Sequence, residues 1–200
     1  CDLSSGSSAD DYARLIADYA HLNPPRGCDA SRAWITGGGW AMSAFVGGTP
    51  SAAELDAIES ELERDDTATG RRQAAIARAA RPSLEAKDLA WAEMMERTDL
   101  PNAILEATIA GFVQPDQVDL LSHFRQRFFE EIVRAWDAQT MEMGQSLAMG
   151  LYPSLIVEAK TIRETDEFLA RDDINPALRR LVIEGRDGVN RSLRARAADA

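Results

Sequence analysis

Two histidines, two cysteines, a few adjacent acids and one arginine-rich terminus are the side chains of this 200-residue chain best placed to do chemistry. The histidines, His21 and His123, open no His-Glu-x-x-His pair, the spacing that sets two imidazoles on one helix face around zinc. His123 follows Leu120 and Leu121 on a periodic apolar stretch and reads as a core-edge histidine with one hydrogen bond. Cys1 and Cys28 lack metal-ligand spacing, and one pair of thiols is no disulfide framework for a chain of this size. A reducing, cytoplasmic setting is the simpler expectation. Gly144-Gln145-Ser146-Leu147-Ala148 has the outline of a nucleophile elbow but lacks its final glycine, and Ser146 falls inside a predicted helix. Thr36-Gly37-Gly38-Gly39-Trp40 could turn backbone amides toward an anion, yet the Lys-Ser/Thr ending of a phosphate loop is missing. Asp65-Asp66 and Asp172-Asp173 could act as paired carboxylates, but both lie at helix ends, where acids favour the positive end of the next helix. The row Phe124, Phe128, Trp136 reads as core before cofactor box.

The last helix carries the one local reversal of charge. From Asn175 to Ala200, Arg179, Arg180, Arg186, Arg191, Arg194 and Arg196 outnumber Glu184, Asp187 and Asp199, for a net +3. These residues read as a solvated face that complements the helix C-terminus. Arginine also suits bidentate carboxylate binding, so docking on an acidic domain or on a substrate carboxylate stays open.

The elements that must position these residues follow from composition and period. Hydrophobic residues at 45% and charged residues at 28% specify a folded globular chain with a sizeable core. Its 22 Lys and Arg against 33 Asp and Glu give a net charge of -11, a surface that repels phosphate backbones and anionic lipid. No nucleic-acid partner is expected. No apolar run approaches the roughly 18 residues needed to cross a bilayer as a helix. Cys1-Asp2 followed by Leu3-Ser4-Ser5-Gly6-Ser7-Ser8 resembles the mature start of a bacterial lipoprotein; an arbitrary fragment edge is the plainer reading.

From Ser51 onward the chain reads as consecutive helices. Ser51-Ala52-Ala53-Glu54 forms a capping box ahead of Leu55, Ile58 and Leu62. New helices are predicted near Thr67, carrying Ala75, Ile76 and Ala79, near Ser83, carrying Leu84, Trp91, Met94 and Met95, and at Leu100-Pro101-Asn102. Gln114-Pro115-Asp116 opens one long helix through Val118, Leu121, Phe124, Phe128, Ile132 and Trp136. A further helix starts at about Ala138 and stops at Tyr152-Pro153, because proline disfavours helix in the residue before it. Thr161-Ile162-Arg163-Glu164 is a second capping box, and Asn175-Pro176 supplies an N-cap with proline at the first helical position. The fold class is all-α: irregular stacked antiparallel helix pairs, a HEAT/armadillo-like α-superhelix. Residues 1–50 behave differently, with a predicted helix over Ser8–Ala20 and a glycine-interrupted apolar stretch over Trp34–Val46.

The order Leu100-Pro101-Asn102, Ala110-Gly111-Phe112, Gln114-Pro115, Leu120-Leu121, Phe128-Phe129, Trp136 and Gly150-Leu151-Tyr152-Pro153 resembles the C-terminal, ERAP1-like helical domain of family M1 zinc aminopeptidases, in the bacterial aminopeptidase N branch. Asp66-Thr67-Ala68-Thr69-Gly70 and the run from Ala177 to Gly188 fit the same pattern. The resemblance covers residues 51–200 and makes 1–50 a separate segment that departs from the family pattern. It implies a parent enzyme that releases N-terminal residues from peptides with a zinc-bound water, a catalytic glutamate and a Gly-x-Met-Glu-Asn amine site. No such motif stands in this chain, so the expected catalytic residues are none and the expected metal ligands none. In some family members basic residues of the helical bowl hold the peptide's C-terminal carboxylate; the resemblance assigns that role to no particular arginine here, and the substrate-binding residues stay unknown. The implied task is to shape or gate a cavity over a catalytic domain, with that domain and the peptide substrate as partners and zinc held in the parent. The isolated chain is expected to self-associate through the apolar surface that would meet that domain. The alternative is a stand-alone helical binding protein, lipid-anchored through Cys1.

Overall fold

A computed structural model describes residues 52–199. Cys1, His21, Cys28, the glycine run at 37–39, the predicted helix over Ser8–Ala20 and the Ser51–Glu54 capping box lie outside the described residues or side chains. The chain folds as α1 (Ala52–Arg64), α2 (Ala68–Ala80), α3 (Leu84–Glu96), α4 (Asn102–Phe112), a 3-10 turn (Pro115–Gln117), α5 (Val118–Leu121), a second 3-10 turn (Ser122–Phe124), α6 (Arg125–Ala138), α7 (Met141–Leu151), α8 (Ala159–Leu169) and α9 (Pro176–Ala198). Among the described residues there is no strand, and the fold is all-α.

Local chemistry sets several starts where the residue order puts them. Thr67 Oγ1 accepts the Gly70 amide at 3.0 Å and Ser83 Oγ accepts the Ala86 amide at 3.1 Å, each relieving an orphan donor of a first turn. Asn175 Oδ1 accepts the Ala177 amide at 2.8 Å, with Pro176 at the first helical position. α7 ends at Leu151, just ahead of Tyr152-Pro153.

Short connections return the chain on itself, so α1/α2, α3/α4, α6/α7 and α8/α9 pack as hairpins. The second members form one row, α2 beside α4, α4 beside α7, α7 beside α9. α3, α6 and α8 form the other, each touching the next. The first half of this array is packed on small residues. Ala74, Ala75, Ala77, Ala79 and Ala80 of α2 are buried, and a Cβ placed on Gly111 of α4 would lie 2.2 Å from the Ile76 carbonyl oxygen. Only a glycine lets the two backbones approach so closely. The second half is packed on rings: Trp91, Phe112 and Phe124 stack with centroids 5.1 to 5.7 Å apart, and Phe128, Phe129, Tyr152 and Phe168 continue the row.

Four local expectations are overturned. The single helix from Pro115 is instead two 3-10 turns, a short α5 and a separate α6. The helix expected from Ala138 starts at Met141, capped by Thr140, and Ala138 closes α6. The Thr161–Glu164 box does not start a helix: α8 begins at Ala159, with Glu158 at the cap position. Thr161 is buried in the second turn and its Oγ1 donates backwards to the Ile156 carbonyl at 2.7 Å, while Glu164 is drawn away by Arg125. Leu84, expected inward, is 42% exposed.

Candidate functional site

The helix register of α3 places Lys87 on the same face as Ala90, Trp91 and Met94, and this face is buried. Lys87 is therefore carried into the core, where it is wholly inaccessible to solvent. Its Nζ donates to the Ala79 carbonyl at 2.7 Å and the Phe112 carbonyl at 2.9 Å, with the Gly111 carbonyl at 3.4 Å. These oxygens belong to the last turns of α2 and α4, which have no intrahelical donors and carry the negative ends of two helix dipoles. The Phe112 ring lies 5.4 Å from Nζ. Burial pulls the Lys87 ammonium down to about 7, against a smaller opposing field from Asp116. Beside it, Gln117 Nε2 donates to the Ala80 carbonyl at 2.9 Å, so two side chains close the end of α2.

A different buried cation opens α6. Arg125 Nε donates to Glu164 at 2.7 Å and its Nη1 to Glu158 at 3.0 Å, locking the start of α6 to α8. Nearby, Tyr152 bonds Thr165 at 2.9 Å and Thr165 donates to the Thr161 carbonyl at 2.7 Å, a polar chain inside the aromatic half. Burial raises the Tyr152 hydroxyl above its ordinary range.

Two concavities flank these clusters. A cleft of about 120 Å³ lies between α2 and α3, with Arg78, Arg81, Glu93 and Leu89 around a floor of Ala79, Ala86 and Ala90. A crevice of about 20 Å³ beside Phe112, Arg125 and Tyr152 has room for about one water. Neither reaches the roughly 300 Å³ at which small-molecule pockets begin. Among the described residues no three His, Cys, Asp or Glu side chains gather to hold a metal, so a zinc ion has no fitting site there. The buried polar groups brace helix ends and seams.

The residues singled out in the sequence are dispersed. Ser146 lies inside α7, away from any elbow. His123 stands exposed on the second 3-10 turn rather than at the core edge. Asp66 pairs with Arg71 at 2.7 Å and Asp173 with Arg171 at 2.6 Å, and each arginine holds its carboxyl below the usual range. Asp65 is buried behind the start of α2. Of the terminal arginines, Arg179 donates to the Leu169 and Arg171 carbonyls, closing α8. Arg180 pairs with Glu184 at 2.8 Å and Arg186 with Asp166 at 2.6 Å. Arg196 donates to the Val157 carbonyl at 3.1 Å, which leaves Arg191 and Arg194 exposed with no ion pair to a described residue. Sequence reasoning missed Lys87, Gln117 and Arg125. For Lys87 a signal was present: a lysine in register with Trp91 and Met94 on an apolar stripe.

With this geometry in place, two likenesses bear on the chain. A family model described as the ERAP1-like C-terminal domain matches residues 40–191. An aminopeptidase N of Streptomyces lividans is 52% identical over 143 residues, 72% of this chain and 17% of that protein. The chain thus spans about a sixth of the length of that curated relative.

Proposed function

The chain belongs to the ERAP1-like C-terminal domain family, and on that premise we propose that it is the C-terminal helical domain of an M1 zinc metallo-aminopeptidase of the aminopeptidase N kind. The match to the family begins at residue 40, and the reading keeps the helical domain at 51–200 with 1–50 as a segment before it. Its task is mechanical: the two-row array walls and gates a cavity in which a separate catalytic domain of the same polypeptide, holding the zinc, removes N-terminal residues from peptides in the cytoplasm. The observation that carries this reading is the 52% identity over 143 residues with an aminopeptidase N of which the match spans only 17%. Among the described residues no helix is long and apolar enough to cross a membrane. Leu84, Leu89, Met141, Met149 and Ile183 are exposed side chains that a neighbouring domain could cover, as could self-association in the isolated chain.

An aminoacyl-anilide assay of the 200-residue chain with added zinc tests the division of labour. No hydrolysis above buffer is expected. Zinc-dependent turnover by this chain alone would overturn the reading. Coding sequence ahead of residue 1 is expected to carry His-Glu-x-x-His; a lipobox in its place would support the lipid-anchored binding protein instead.

A further inference from the structure

The cleft between α2 and α3 has a third wall, Leu55 of α1. Its floor is Ala79, Ala86 and Ala90, and Leu89 at its rim is 64% exposed. Two of the charged groups around it are already engaged. Arg78 donates to both oxygens of Glu59, at 2.7 and 2.6 Å, and Glu93 accepts from Arg97 at 3.2 Å. Arg81 differs. Its Nε–H is shut off from solvent and meets no acceptor among the described residues. A shielded donor is stabilised by an oxygen within reach, and a floor of small apolar side chains by an apolar group set against it. One occupant that brings both completes the cleft.

The chain itself carries such an occupant. The described residues begin at Ala52, and Leu55 stands about 4.5 Å along the helix axis from it, so the segment before α1 enters beside the wall of this cleft. The family match begins at residue 40, which joins residues 40–51 to the matched region. From Trp40 to Ser51 no side chain is charged, and Trp40, Met42, Phe45 and Val46 are apolar. Gly47-Gly48 and Pro50 follow, the residue types at which a chain turns back on itself. The stretch from Phe45 to Ser51 reaches up to about 20 Å when extended, ample for a return to the cleft. A space of about 120 Å³ approaches the roughly 150 Å³ apolar cavity known to take up one benzene ring, and Phe45 is the ring nearest to α1 along the chain before it.

We propose that residues 40–51 fold back onto the helical domain and cover the cleft walled by α1, α2 and α3, with Phe45 seated on its alanine floor and a backbone carbonyl of the segment accepting from Arg81 Nε. An uncharged segment meets the arginine without bringing a second charge into the cleft. Being tethered a few residues from the site, it also outcompetes a free partner through its high local concentration.

Thiol reactivity in the whole chain tests this. With Cys1→Ser and Cys28→Ser in place, a single thiol is introduced as Leu89→Cys or, for reference, as Arg134→Cys on the exposed face of α6. Each reaction with a water-soluble maleimide is normalised to the same chain in urea. The Leu89→Cys thiol is expected to react at least about tenfold more slowly than the reference, because reaction then waits on local opening. Adding Phe45→Asp should restore the reference rate. Equal rates without Phe45→Asp overturn the proposal. Protection that survives Phe45→Asp overturns it as well, since another group then covers Leu89, and so does protection that disappears on dilution, the mark of a second copy. In the same background, Phe45→Cys with Leu89→Cys should close an intramolecular disulfide under mild oxidation, whereas Phe45→Cys with Arg191→Cys, exposed on α9, should not. Equal yields from the two pairs overturn the proposal.

Discussion

Among the described residues, two buried cations solve the same problem in opposite ways. Arg125, at the seam of α6 and α8, is met by two carboxylates, one of them 17% exposed and the other 56%. Lys87, at the seam of α2, α3 and α4, is met only by carbonyl oxygens. The first is a permanent charge that needs counter-charge. The second is held by the carbonyl ends of two helices, with no carboxylate in contact. The packing around them differs as well: alanines, a glycine crossing and the Phe112 ring meet the lysine, while rings without such a crossing line the arginine side. A joint made of backbone contacts at closest approach tolerates little change in size. A joint made of side chains can be taken apart pairwise.

The largest effect should come from the glycine crossing. Gly111→Ala sets a methyl 2.2 Å from the Ile76 carbonyl oxygen, and because that atom is backbone, α2 and α4 must separate. A loss of about 3 kcal/mol, the upper end of overpacking costs, is expected in urea unfolding. A loss below about 1 kcal/mol would show that the first half is no more rigid than the second.

The next effect belongs to the arginine seam. Arg125→Met leaves Glu164, in a partly buried site, with only the more distant Lys160 at 3.7 Å, while Glu158, more than half exposed, rehydrates. A cost of about 2 kcal/mol is expected, less than the 3–5 of a fully buried pair. Adding Glu164→Leu should recover at least half of it, since no uncompensated charge then remains. A double variant as unstable as the single one would mean that Arg125 acts through packing alone, and the contrast with Lys87 would lose its electrostatic basis.

The smallest effect has the opposite sign. A Cβ on Gly188 of α9 meets only the Arg191 guanidinium, at 3.9 Å, so Gly188→Ala gains helix propensity without a clash. A rise of about 0.5–1 kcal/mol is expected by thermal unfolding. Set beside Gly111→Ala, it separates a glycine required by contact from one that is merely tolerated.

Much of the fold was legible because its signals are local. Thr67, Ser83 and the Asn175-Pro176 pair cap their helices with amides only two or three residues away, so the order of residues contains the whole interaction. The stripe of Phe128, Ile132 and Trp136 needed nothing beyond the helical period. The family followed from the order of such motifs, and the matched region shows the same membership.

What residue order could not contain was competition from distant partners. Thr161 and Glu164 satisfy the local rule for a helix start, yet the Ile156 carbonyl takes the hydroxyl and Arg125, 39 residues away, takes the carboxylate. Lys87 lies on an apolar stripe that any helical count would reveal. Which carbonyls it meets depends on how α2 and α4 end beside it, 8 and 25 positions away. The sequence alone determined helices, caps and kinship, because these rest on neighbours along the chain. Only the tertiary structure decided which buried polar groups are joined, because a desolvated donor or charge takes the partner that reaches it through space.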